Sequence, residues 1–177
     1  MPRKMSKYSF KLLLLGQGEV GKTSLIKRYV DDFFEEGYQI TLGVDFLSKN
    51  IKLTNSKDKL YDVTFQIWDV AGQSGFTNFR HLYLKKAHGV FLVFDMKRPD
   101  TLDKLESWKT DVNKHSPEAV TFLIGNKEDL AESNPWSEKD AERFNAVQFF
   151  TTSAKTGHRV EEAFDTMGRK ILESVLK

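Results

Sequence analysis

Three stretches of the chain are apolar at nearly every position: Phe10–Leu15, Gly89–Asp95 and Val120–Gly125. Short runs without alternation read as strands buried on both faces. Elsewhere the apolar residues switch to helical spacing. Lys22–Val30 sets Leu25, Ile26, Tyr29 and Val30 on one face, and Leu102–Val112 does the same with Leu102, Leu105, Trp108 and Val112. Val160–Leu176 turns Val160, Ala163, Phe164, Met167, Ile171 and Leu172 inward. Val44–Leu53 alternates in part, and Val63, Phe65 and Ile67 recur at period two, predicting a hairpin that turns at Asn55-Ser56-Lys57-Asp58. Ser137 is an N-cap candidate for a helix over Glu138–Asn145, and Val147–Phe150 reads as a short strand.

Buried strands alternating with helices predict an α/β fold with a mostly parallel sheet covered on both faces. Ligands in such sheets sit at the carboxyl ends of the strands. Chemistry is therefore expected in the loops after Leu15, Trp68, Asp95, Ile124 and Phe150. Nothing divides the chain: no repeat, no Gly/Ser linker, and four scattered prolines. One domain over residues 9–177 is expected, behind a flexible tail at 1–8.

Composition narrows the function classes. The 177 residues are 40% hydrophobic and 29% charged, ordinary for a globular protein. No apolar run approaches the roughly 20 residues of a membrane-spanning helix. A net charge of +2 gives no reason to expect nucleic acid as a partner. The absence of cysteine excludes disulfides, thiolate metal sites, cysteine nucleophiles and a cysteine-linked lipid anchor in the chain as given. His81, His88, His115 and His158 lack metal-ligand spacing and read as surface or packing residues. A cytoplasmic protein is expected, with peripheral membrane contact left open.

Gly16-Gln17-Gly18-Glu19-Val20-Gly21-Lys22-Thr23 fits the phosphate-loop pattern of two glycines followed by Lys-Thr. Its glycines let backbone N–H groups wrap phosphate oxygens, and the helix that follows adds its positive end. Lys22 would reach the β- and γ-phosphates and the Thr23 hydroxyl would bind Mg²⁺. A chance match is on the order of one chain in a hundred, and the required strand before and helix after are both present. Glu19 is out of character, since a carboxylate facing the phosphates would repel them; it is expected to face solvent.

Asn126-Lys127-Glu128-Asp129, after the third buried run, supplies base choice. A carboxylate at Asp129 accepts two hydrogen bonds from guanine, whereas adenine would leave it buried and unpaired, a discrimination of about 10⁴-fold or more. Asn126 can tie this loop to the phosphate loop, and the Lys127 stem can lie against the base. Ser153-Ala154-Lys155 could add a backbone N–H to the guanine oxygen; alone it reads equally as a bland loop.

Together these residues resemble the Ras superfamily of small GTPases, most closely its Rab branch, from about Phe10 to Lys177. Thr41-Leu42-Gly43-Val44-Asp45-Phe46 is similar to the Rab first switch and Trp68-Asp69-Val70-Ala71-Gly72-Gln73 to the second. The resemblance implies a P-loop NTPase sandwich: a six-stranded sheet with one antiparallel strand and five flanking helices. It implies that Thr23, Thr41 and Asp69 hold Mg²⁺ and that the Gly72 N–H meets the γ-phosphate. Gln73 would orient the attacking water, making Gln73, Lys22, Thr41 and Gly72 the catalytic set. The implied nucleotide contacts are Gly18, Glu19, Val20, Gly21, Lys22, Thr23, Ser24, Phe34, Tyr38, Thr41, Gly72, Asn126, Lys127, Asp129, Leu130, Ser153, Ala154 and Lys155. Phe46, Trp68 and Tyr83 match the aromatic triad with which Rab proteins bind effectors.

The implied activity is slow hydrolysis of GTP, because no arginine is positioned to reach the phosphates from within the chain and such a group is worth about 10³–10⁵ in rate. Partners implied are guanine nucleotide, effectors, an exchange factor and an activating protein acting on a monomer, in vesicle or membrane trafficking or related signalling. The chain departs from the Rab pattern at Ser74-Gly75, where Glu-Arg is usual, and at Val70. Two other readings are weighed. A non-hydrolysing nucleotide module is disfavoured by Gln73 and Thr41, and an ATP-using P-loop kinase by Asp129.

Overall fold

The computed structural model describes residues 7–37, 40–72 and 79–177. Six strands form one sheet: β1 (Lys7–Leu15), β2 (Val44–Thr54), β3 (Leu60–Val70), β4 (Gly89–Asp95), β5 (Val120–Asn126) and β6 (Gln148–Thr151). Their spatial order is β2-β3-β1-β4-β5-β6. β2 runs antiparallel to β3, and every other neighbouring pair is parallel. The helical segments are α1 (Lys22–Asp31), α2 (Arg80–Leu84), α3 (Asp100–Asp103), α4 (Leu105–His115), α5 (Glu138–Arg143) and α6 (Val160–Val175). Only Lys104 separates α3 from α4, so the two make one interrupted helix and five helices flank the sheet among the described residues.

The unbroken apolar runs behave as their pattern dictates. Within β1, Phe10, Leu12 and Leu14 enter a core beneath α1 and α6, while Leu13 and Leu15 enter a second core on the opposite face. β4 divides likewise, Phe91 and Val93 against Val90, Leu92 and Phe94. Each such side chain is worth roughly 1.5–3 kcal/mol relative to exposure. Tyr29 of α1 stacks on Phe164 of α6, ring centroids 4.0 Å apart, and pins the two helices together.

Several boundaries differ from the sequence pattern. β1 starts at Lys7 rather than Phe10, inside the expected tail, because Lys7 to Phe10 pair with Asp62 to Phe65 of β3. β3 runs to Val70 and β5 to Asn126, two residues beyond the expected loop starts. α5 stops at Arg143, short of Asn145, whose φ of 54° is left-handed. Its start is as expected: Ser137 and Asp140 form a reciprocal capping box. The hairpin turns where expected, with the Asn55 side chain accepting from the Lys57 and Lys59 amides. The helix α2 has no counterpart in the sequence reading.

Candidate functional site

Because β1, β3, β4, β5 and β6 run parallel, their carboxyl ends share one edge of the sheet. A cleft of about 570 Å³ opens there. The expected phosphate loop contributes Gly18, Glu19, Gly21, Lys22 and Thr23 to its wall, with Ser24 next in α1; the first switch contributes Thr41, the second Gly72, and Phe34 joins them from the segment after α1. The opposite wall holds Asn126, Lys127, Asp129, Leu130, Ala154 and Lys155. Val20, Ser153 and Asp69 do not line the cleft. Val20 is fully buried in the core beneath α1, and Ser153 and Asp69 stand buried behind the wall. Tyr38 and Gln73, and with them Ser74-Gly75, lie outside the described residues.

Two glycines make the close approaches that the loop needs. A Cβ on Gly21, whose φ is +97°, would strike the Asn126 amide. One on Gly72 would collide with the backbone of Gly16, Gln17 and Gly18, so the segment just after β3 and the phosphate loop touch main chain to main chain. Lys22 is buried and donates to the Gly16 and Gln17 carbonyls at 2.9 and 2.8 Å. Burial lowers its ammonium pKa to about 8, against the opposing pull of the Asp69 charge.

Beside it, three oxygens converge. The Thr23 hydroxyl lies 2.8 Å from that of Thr41 and donates to Asp69 Oδ2, which also lies 3.5 Å from Thr41 Oγ1. Asp69 is buried, and its second oxygen, Oδ1, has no hydrogen-bond partner. Burial pushes its carboxyl above the usual range; the Thr23 bond and the Lys22 charge oppose that shift, and Asp45 reinforces it. Two hydroxyls and a carboxylate are the hard oxygen donors that Mg²⁺ takes, and the orphaned buried oxygen is one that a divalent cation would compensate.

At the far end the base loop is clamped. Asn126 donates to the Val20 carbonyl at 3.0 Å and accepts from Thr152 Oγ1 and the Ala154 amide at 3.1 and 3.3 Å. One side chain thus ties the phosphate loop to both loops on the opposite wall. Ser153 Oγ donates to Asp129 Oδ1 at 2.6 Å and fixes the carboxylate, which lies in the 3₁₀ turn Glu128–Leu130. Lys127, in the left-handed region at φ 64°, stretches its stem along the cleft and donates to the Glu19 carbonyl and Asp95 at 2.6 and 2.8 Å.

Sequence reasoning missed several supports. Arg28 of α1 donates to the Ala154 and Lys155 carbonyls at 2.8 and 2.7 Å, holding the loop that follows β6. Asp95 gathers Lys127 and Arg98 on one oxygen. Glu36 pairs with Lys155 at 3.0 Å and is part of the same wall as Lys27, Phe33, Glu35 and Gly37. The sequence signals were slight: isolated charges with no motif around them. Glu19 faces outward as expected, about half exposed and 3.5 Å from Arg98. Phe46, Trp68 and Tyr83 form one run of rings, with centroids 5.3 and 6.5 Å apart, and Phe46 is exposed. Trp108 and Trp136 pack internally, against Arg80 and Phe94.

A glycine-rich loop with a buried lysine, facing a clamped Asn-Lys-x-Asp turn across a sheet edge, defines a P-loop nucleotide-binding protein. The Ras family model matches residues 11–173, and the chain belongs to the Ras family. It is 38% identical to the Ras-related protein Rab-1 of Theileria parva over 95% of this chain and 76% of that protein. It is 37% identical to Rab-2B of Dictyostelium discoideum, over 98% of this chain and 86% of that one. The GTP-binding protein ypt1 of Schizosaccharomyces pombe is 37% identical over 94% and 81% respectively. The chain is therefore a Rab-like small GTPase that binds guanine nucleotide and hydrolyses GTP.

Proposed function

We propose that the chain is a GTP/GDP switch of vesicle or membrane traffic, with GTP and Mg²⁺ held by the residues that line and back the cleft. The observation that carries this reading is the convergence of Lys22, Thr23, Thr41 and Asp69 at one end of a cleft whose other end carries Asp129 locked by Ser153. Thr23, Thr41 and Asp69 would hold the ion; when bound, Mg²⁺ neutralises charge on the β- and γ-phosphates. Lys22 turns its ammonium from the loop carbonyls to the phosphates. Backbone N–H groups of residues 18–23 and of Gly72 stabilise the charge that spreads over the phosphoryl oxygens in the transition state. Gln73 orients water for attack in line with the leaving oxygen.

Among the described residues no arginine lines the cleft. Turnover is accordingly slow until a partner supplies one. Thr41 and Gly72 line the cleft from two different segments; with both meeting the γ-phosphate, its loss would free both and alter the surface around Phe46, Trp68 and Tyr83 that effectors would read. Mass spectrometry of the nucleotide that survives gentle purification, followed by single-turnover hydrolysis with a Gln73→Leu control, tests the proposal. GDP or GTP should be found, and the variant should hydrolyse at least tenfold more slowly. Equal inertness of both proteins would replace the switch with a passive nucleotide module.

A further inference from the structure

Glu19 places a carboxylate on the very loop that must hold a polyphosphate. Its backbone stands at φ 68°, in the left-handed region where glycine is favoured, so this position carries a side chain at a conformational cost. Among the described residues, Arg98 is the cation paired with it. Arg98 follows β4, and its guanidinium is fixed on three sides. Nε donates to Asp95 Oδ2 at 3.0 Å, Nη1 reaches Glu19 Oε2 at 3.5 Å, and Nη2 reaches the Gly18 carbonyl at 3.4 Å. Asp95 is itself buried and also holds Lys127 at 2.8 Å. The Arg98 head is thus anchored from within the protein and presented to the outer face of the phosphate loop.

A pair this exposed adds little to folding. Its effect on a bound polyanion is of another order. One uncompensated carboxylate on that loop repels each of several phosphate charges and weakens binding by about tenfold.

We propose that Arg98 is a positioning residue for nucleotide retention: held by Asp95, it neutralises Glu19 and so keeps the phosphate loop attractive to a guanosine polyphosphate. This rests on the nucleotide-switch reading above. Loss of the guanidinium would unmask the carboxylate and accelerate release, while loss of both charges would restore retention. The coupling runs through charge, so a rise in ionic strength would shrink it.

The test is release of a fluorescent N-methylanthraniloyl GDP from the Mg²⁺-loaded protein, chased with excess GDP at low and high salt. Arg98→Ala should release about tenfold faster at low salt and less so at high salt, with a melting temperature within a few degrees of the wild type. Arg98→Lys should stay within about threefold of wild type, and the pair Arg98→Ala with Glu19→Gln should return close to it. If the double variant releases as fast as Arg98→Ala alone, or if Arg98→Ala leaves release unchanged while the wild type binds normally, this inference falls and the switch reading stands. If the wild type fails to bind the fluorescent nucleotide at all, the switch reading itself falls and takes the inference with it.

Discussion

Asp129 and Lys22 are the side chains on which the proposed choice of ligand turns. Asp129 is a carboxylate held in place by Ser153, and its value lies in what it refuses. Asp129→Asn should lower GTP affinity by about 10³-fold or more and shift preference toward xanthosine nucleotides, as read by competition against labelled GDP. Lys22 decides pH dependence. Burial holds its pKa near 8, well under the ordinary 10.5, and phosphate oxygens placed beside the ammonium would raise it again. Binding therefore takes up a proton between about pH 8 and 10.5. GDP affinity should be flat below pH 8 and fall by up to tenfold per unit above it, measurable by calorimetry in buffers of different ionisation enthalpy. Over the same window the unliganded protein gains stability with rising pH, because its unfolded form binds more protons than its folded one. A flat affinity up to pH 10 would contradict this.

Elements were legible where their cause was local. The parallel strands announced themselves because a buried strand needs only its own apolar run, and the phosphate and base loops because their residues are contiguous. The helix α2 was missed because its five residues bury only Arg80 and Leu84, too few to make a period. Arg28, Asp95 and Arg98 were missed because each acts on a residue far away in the chain, to which nothing in its own neighbourhood points. His88 is a case at the junction of elements. Just before β4, it accepts the Lys11 amide on Nδ1 at 2.9 Å while its own amide donates to the Lys11 carbonyl at 2.9 Å. Burial and the Lys11 charge hold its pKa below the usual 6.5, keeping the ring neutral. Protonation would cost the acceptor, so stability present above pH 6.5 is lost as pH falls below it toward the depressed folded value. Urea midpoints should drop more steeply from pH 6.5 to 5 in the wild type than in His88→Gln. Parallel slopes would show that His88 is not the sensor.

At the scale of the molecule, loops that follow β1, β3, β5 and β6 line the cleft, so a nucleotide held there would act as a bond between distant parts of the chain. Saturation to a thousandfold over Kd should add about 4 kcal/mol of stability. In a melting assay GDP with Mg²⁺ should raise Tm by several degrees, and the same concentration of ATP should not.

That bridge rests on unequal footings. The phosphate loop leaves β1, a nine-residue strand flanked by β3 and β4, whereas the Ser153 loop leaves β6, four residues joined to β5 alone at the outer margin. The margin frays first. Departure of a nucleotide should thus resemble unzipping, the purine letting go before the diphosphate. Deuterium should accordingly enter the amides of residues 151–155 sooner than those of residues 16–23.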